Sequence, residues 1–214
     1  MYVPKHFEES RVYVLHRLIR ANPFGTLVGL TSGGLAANHI PFEIENGLAP
    51  FGMLQGHIAR ANTFWQECSS ETEVLVIFQG PDAYISPGWY PGKKQHGKVV
   101  PTWNYAVVHA YGRARFIHDS GWLRGFVEKL TNRHESGRVA PWKMTDAPPD
   151  YIEKQISAIV GLEISITRLV GKSKLGQNRP VEDQAGMVKG LLEQGDGPGA
   201  DLARLASERQ RGQT

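Results

Sequence analysis

The feature that most constrains this chain is the order of its apolar runs. Between residues 24 and 79 they follow one another with turn signals between them and little room for intervening helices. Phe24–Thr31 reads as a strand, Ser32-Gly33-Gly34 as a tight turn, and Leu35–Phe42 as its hairpin partner. Asn46-Gly47 marks the next turn, 48–57 a third strand, and 73–79 a fourth. A fifth covers 105–117, with Arg113 and Arg115 expected on one face, and a sixth covers 162–170 with clear alternation. Strict strand–helix alternation is absent, which argues against a doubly wound parallel sheet. The chain is predicted to be mainly β, a six-stranded antiparallel barrel with peripheral helices.

The helices are expected at the margins. The spacing of Val12, Leu15 and Ile19 predicts an amphipathic helix over 8–20, ended by Asn22-Pro23. A short helix is predicted over 61–68 with Asn62 as its cap. Asp119 caps a helix running to about His134, with Trp122, Leu123, Phe126, Val127 and Leu130 as its apolar stripe. Asp150–Val160 reads as another. Beyond Pro180 the chain turns polar and Gly-rich, with two helical patterns near 181–194 and 200–210. The expected division is a 1–180 domain followed by a solvated, partly helical 181–214 extension.

Composition narrows the function. In 214 residues Cys68 is the one cysteine, which excludes an internal disulfide and suits a reducing cytoplasm. No apolar run reaches the ~20 residues of a membrane span, and the first residues lack the apolar stretch of a signal peptide. A net charge of +3 falls short of a nucleic-acid footprint. The tail mixes Lys189, Arg204, Arg209 and Arg211 with Glu182, Asp183, Glu193, Asp196, Asp201 and Glu208, a poor balance for holding phosphates, and no helix-turn-helix is visible. The histidines show no zinc spacing, so no metal is expected. There is no G-x-S-x-G and no activated cysteine, and no catalytic residue is assigned.

Three segments carry candidate binding chemistry. Tyr84 to Tyr105 packs Tyr84, Trp89, Tyr90, Trp103 and Tyr105 around Pro87, Pro91 and Pro101, beside Lys93, Lys94 and Lys98. Rings beside fixed cations suit a planar anion. Within it, Thr102 and Asn104 can bond a ligand's edge while Trp103 or Tyr105 supplies a flat face; a barrel core with a Trp at its mouth fits the same residues. Gln55–Trp65 places His57, Arg60 and Asn62 where a strand gives way to a helix, which suits a phosphate. A surface Arg and a capping Asn explain the same spacing, and from spacing alone that plainer reading is favoured. Gly171–Arg179 (G-K-S-K-L-G-Q-N-R) offers Lys172, Lys174, Gln177, Asn178 and Arg179 for an anionic partner, or forms a solvated basic turn.

These segments occur in one order with M-Y-V-P-K-H-F at 1–7, G-H-I-A-R-A-N at 56–62, Y-I-S-P-G-W-Y at 84–90, V-P-T-W-N-Y at 100–105, I-V-G-L-E-I at 159–164 and G-K-S-K-L-G-Q-N-R at 171–179. Over roughly residues 1–180 the chain resembles the PaiB-like family of FMN-binding negative transcriptional regulators. These are bacterial split-barrel flavoproteins related in fold to pyridoxamine 5′-phosphate oxidases. Thr63 stands where the family usually has Pro, and Gly176 where it usually has Ser. The resemblance implies an FMN-binding homodimer with the flavin at the subunit interface. It makes His57, Arg60 and Asn62 candidates for the phosphate end and Trp103, Asn104 and Tyr105, with Thr102, for the flavin end. Gln177 and Asn178 would close the site, with Lys172 beside them. A regulator is the expected function. DNA enters as a partner through the family only, since no reading motif is visible. A flavin-dependent oxidoreductase using the same pocket is the alternative, weakened by the lack of an acid–base dyad.

Overall fold

The computed structural model describes residues 1–47, 50–69 and 72–211. In chain order its elements are β1 (Glu8–Glu9), α1 (Val12–Ala21), β2 (Phe24–Thr31), β3 (Gly34–Pro41), β4 (Glu43–Glu45), β5 (Met53–Ala59), α2 (Phe64–Glu67), β6 (Glu73–Ile85), α3 (Gly92–His96), β7 (Thr102–Ile117), α4 (Ser120–Glu135), α5 (Pro149–Ser157), β8 (Ile159–Lys174), α6 (Val181–Leu192) and α7 (Pro198–Arg211). Three short 3₁₀ turns complete the set. Among the described residues no helix is long and apolar enough to cross a membrane.

The predicted class holds: a mainly β, antiparallel architecture with helices around it. The strand number does not. Eight strands form one sheet in the order β3-β2-β6-β7-β8-β5-β4, with β1 added on β8. All six expected strands are present. The two extra ones, Glu8–Glu9 and Glu43–Glu45, are two and three residues long, too short to leave an alternating pattern. Of the predicted third strand, Leu48 and Ala49 lie outside the described residues, and β5 begins at Met53. Strands β6, β7 and β8 run 13, 16 and 16 residues, longer than their apolar patterns suggested.

The chain forms two compact units. One comprises residues 22–78 and 109–169. Here β2 pairs antiparallel with β3 from Phe24↔Pro41 to Thr31↔Gly34, and Gly34, at φ 108°, closes the predicted turn. β5 pairs with β8 from Met53↔Ser165 to Ala59↔Ile159, and with β4 on its other side. Phe42, Leu54, Val76, Phe78, Leu162 and Ile164 are buried at its centre, with Phe42 edge-on to Phe78 at 5.7 Å. α4 starts where the sequence places it: the Asp119 side chain accepts the Trp122 N–H at 2.7 Å. Its apolar face and that of α5 bury Leu123, Ile152 and Ile156 together.

The other unit comprises residues 1–21, 79–108 and 170–211 of the described chain. β1 pairs with the end of β8, Glu8↔Lys172 and Glu9↔Gly171. α6 and α7 bury Met187, Leu191, Leu202, Ala203 and Ala206 with Ile85, Tyr90 and Leu175. The segment after Pro180 was expected to be solvated, yet it owns an apolar face, and even Asp183 is buried, accepting the Gly92 N–H at 2.9 Å. Trp89 lies against Gly186 and Gly190, one turn apart on α6, where any larger residue would meet its backbone or ring.

Gly112 on β7 is the tightest strand position tied to backbone. A Cβ there would strike the Ser165 carbonyl oxygen of β8. Gly112→Ala is expected to cost about 1–3 kcal/mol or more by overpacking. Gly125, exposed in α4 with open space around it, predicts the opposite sign: Gly125→Ala gains about 0.5–1 kcal/mol. Urea denaturation of the two variants measures both; equal effects would contradict the packing described.

Candidate functional site

The ten residues singled out in the sequence divide between the two units. His57, Arg60 and Asn62 belong to the unit of residues 22–78 and 109–169. Thr102, Trp103, Asn104, Tyr105, Lys172, Gln177 and Asn178 belong to the other. Each group is described by itself.

In the first group the polar atoms hold the scaffold. Arg60 donates from Nε to the Ser157 carbonyl and from an Nη to the Ile159 carbonyl, both at 2.7 Å, and its other Nη lies 3.2 Å from His118 Nδ1. Its guanidinium therefore ties the end of β5 to the α5–β8 link. Asn62 accepts the Phe64 N–H at 2.9 Å and donates to Asn38 Oδ1 at 2.6 Å, an Asx turn just ahead of α2; the cap position of that helix is Thr63 rather than the expected Asn62. His57 stands edge-on to Phe126, which stacks on Trp122. Burial pushes its pKa below the ordinary 6.5, and its buried Nδ1 has no hydrogen-bond partner. A neutral imidazole brings no charge to a phosphate.

Beside His57 lies a network the sequence reading did not assemble. Glu163, nearly buried on β8, accepts from Gln55 Nε2 at 3.0 Å, from Trp122 Nε1 at 3.1 Å and from the Arg115 guanidinium. Gln55 faces Glu163 in the β5–β8 register, which sets the first of these bonds. The expectation that Arg115 shares a face with Arg113 carried no hint of this partner.

In the second group β8 sets the geometry. Lys172 and Lys174 are two residues apart on one strand and so leave the same face. Lys172 is only 9% exposed; its Nζ donates to the Tyr2 carbonyl at 3.1 Å and lies 5.2 Å from the centre of the Tyr105 ring. Lys174 Nζ donates to Thr102 Oγ1 and, at 2.7 Å, to the Trp103 carbonyl of β7. Arg179 lies over the Tyr90 ring at 5.1 Å. Among the described residues none of these three cations has an ion-paired carboxylate. Burial lowers the Lys174 pKa; Tyr105 opposes the shift, while Lys172 and Arg179 add to it as like charges. The sequence offers Lys174 and Arg179 for an anionic partner within this basic turn; the fold adds that they share an electrostatic neighbourhood with Tyr105.

The remaining candidates sort by what they already hold. Asn104, 1% exposed, donates to Met187 Sδ at 3.0 Å. Gln177 accepts the Leu175 N–H and donates to the Ser173 carbonyl, bracing its own turn. Gly176 in that turn has φ 83°, a conformation that explains a glycine without any ligand. Asn178 is exposed. Trp103, 56% exposed, meets Tyr84 edge-on at 6.2 Å, leaving two rings at the surface. The aromatic cluster of 84–105 therefore splits: Trp89 and Tyr90 anchor α6, while Tyr84 and Trp103 face solvent.

Residues 1–168 match the family described as "Putative FMN-binding domain". The chain belongs to this family. It is 31% identical over 216 residues to protease synthase and sporulation protein PAI 2 of Bacillus subtilis, each chain covered in full. It is 34% identical over 244 residues to an uncharacterised protein of Emericella nidulans, covering 98% of this chain and 97% of that one. Among solved structures it resembles the FAD and heme binding protein of Mycobacterium smegmatis, at TM-score 0.58 and 16% identity, covering 78% and 73% of the two chains. A conserved hypothetical protein of Mycobacterium tuberculosis, Rv2991, matches at TM-score 0.58 and 11% identity over 84% and 94%. These likenesses are of fold, and they agree with the split-barrel class expected from the sequence. Matches in fungi as well as a bacillus place the PaiB resemblance in a family that reaches beyond bacteria.

His57 and His109 both have pKa values pushed down by burial. A histidine with a folded pKa below its unfolded one binds its proton preferentially on unfolding. Its contribution is full above about pH 6.5 and is lost as pH falls toward the folded value. Stability is thus expected to fall between about pH 7.5 and about pH 5.5, and less steeply in His57→Leu, with His109 keeping part of the slope. Guanidinium melts at the two pH values check this, and an unaltered slope in the variant would rule His57 out.

Proposed function

We propose that this protein is an FMN-binding homodimer of the PaiB-like regulator kind, and that Lys172, Lys174 and Arg179 receive the flavin phosphate. The observation that carries the reading is the cation cluster itself. Three positive groups share one neighbourhood, none of them ion-paired to a carboxylate among the described residues, next to the Thr102 hydroxyl and the Tyr105 phenol. That donor set suits a phosphate dianion, whose charge would offset the burial and, beside it, the like charges of Lys172 and Arg179 that lower the Lys174 pKa.

The surrounding residues supply the other requirements of a flavin site. Trp103 and Tyr84 offer exposed aromatic surface for a planar ring system. Bound FMN brings its own redox chemistry, and the chain binds and orients it. Arg60 and Asn62 serve better as scaffold, because their donors already meet Ser157, Ile159 and Asn38. The homodimer is supported by the family and by the apolar groups this unit exposes: Tyr2, Tyr84, Val100 and Trp103. The regulatory role is supported by the resemblance to PAI 2 and not by any element built to read DNA. The α7 cations Arg204 and Arg209 are engaged with Asp201 and Glu9.

Purified protein titrated with FMN is expected to show a shifted flavin absorbance and quenched flavin fluorescence. Removing one charge-assisted contact, as in Lys172→Met or Arg179→Gln, should weaken binding by about 1.5–3 kcal/mol, roughly ten- to a hundredfold in Kd. Arg60→Gln should lower the denaturation midpoint and leave the Kd unchanged. Flavin binding that fails in Arg60→Gln but persists in Lys172→Met would move the phosphate away from the β8 lysines. Sedimentation at micromolar concentration tests the dimer, and a monomer with full FMN affinity would refute it.

A further inference from the structure

Lys174 is held differently from every other lysine described. Its Nζ has two acceptors, Thr102 Oγ1 and the Trp103 carbonyl, and no carboxylate. A neutral amine has two N–H bonds and one lone pair. In the neutral form both hydrogens are satisfied with the lone pair left over, while in the ammonium form, the cation of the cluster, a third N–H is left to offer to an anion. The groups that act on it electrostatically are Tyr105 on β7, Lys172 on its own strand and Arg179 in the turn that follows; two of the three are cations. By contrast Lys5, Lys93 and Lys94 are exposed.

We propose that Lys174 is a site of acylation by acyl phosphates, with Lys172 and Arg179 holding the phosphate of the reagent. The lone pair of the Lys174 amine attacks the acyl carbon. The C–N bond forms, the C–O bond to phosphorus breaks, and inorganic phosphate leaves with that electron pair. The proton lost by nitrogen goes to the departing phosphate, so no further reactant is needed. Burial and the two neighbouring cations enlarge the neutral fraction of the amine, and the same cations bind the leaving group. The product amide cannot be protonated, so the cluster loses one cation. Acylation would therefore weaken any anion that binds there, including the flavin phosphate of the proposed function, although the modification does not depend on flavin being the ligand.

The test is incubation of the full chain, free of added FMN, with acetyl phosphate, followed by peptide mass spectrometry over time. Lys174 is expected to be acetylated several-fold faster than Lys5, Lys93 and Lys94. Excess inorganic phosphate should slow Lys174 selectively, and Arg179→Gln, checked for folding by circular dichroism, should do the same. Labelling of Lys174 at or below the rate of Lys93 and Lys94, or equal slowing of all lysines by phosphate, overturns the proposal. An FMN titration on the same preparation separates the two readings. Fast, phosphate-sensitive labelling without flavin binding supports the modification site and overturns the flavin, while flavin binding with unselective labelling does the reverse.

Discussion

The backbone ladder of β8 is the constraint on which the rest depends. Its first half is fixed residue by residue against β5, and its last residues against β1. Because side chains alternate along a strand, these two registers decide which residues of β8 point together. A slip by one residue would turn Glu163 away from Gln55 and Lys172 and Lys174 away from Tyr105. One strand therefore helps to specify the polar group around Glu163 and the one around Lys172 and Lys174, and the tight Gly112–Ser165 approach helps to hold its register.

The two clusters are opposite solutions to burying charge. Around Glu163 a single carboxylate is satisfied by an amide, an indole and a guanidinium, so the charge is compensated within the fold. Glu9 is treated alike, with Arg11 donating to it at 2.6 Å, Arg209 at 3.3 Å, and its pKa lowered on balance despite burial. Among the described residues the cations at the far end of β8 have no ion-paired carboxylate. Partly buried like charges oppose folding by their mutual repulsion and desolvation. On the function proposed above, these three cations, which among the described residues have no ion-paired carboxylate, are placed for a ligand rather than for stability.

Much of the architecture was legible because it rests on short-range pattern. The β2–β3 hairpin announces itself through its Gly-rich turn, and α4 through Asp119 followed by an apolar stripe. The site was legible only in part, because a residue type does not reveal what it is bonded to. The resemblance makes Arg60 and Asn62 candidates for an anion where spacing alone favours a plainer role, and their donors meet the carbonyls of Ser157 and Ile159 and the amide oxygen of Asn38. Asn104 reads as a ring-edge donor but is sealed under Met187. The tail looked solvated because its apolar residues are few, yet two glycines on α6 admit Trp89 and so create a packed face that hydrophobic counting misses.

That same packing bears on how the cation cluster persists. Leu175 follows Lys174 directly and is buried with Met187 and Leu191 of α6, while Gln177 braces the turn between Ser173 and Leu175. The lysines cannot relax their repulsion by letting the end of β8 fray, because fraying would expose this apolar cluster as well. Hydrophobic burial of about 25 cal/mol per Å² thus holds charges together that would otherwise separate. The cost shows as a Lys174 pKa lowered first by burial and then by the like charges of Lys172 and Arg179. An acidic residue in the same place would have made the turn more stable and closed it to phosphate.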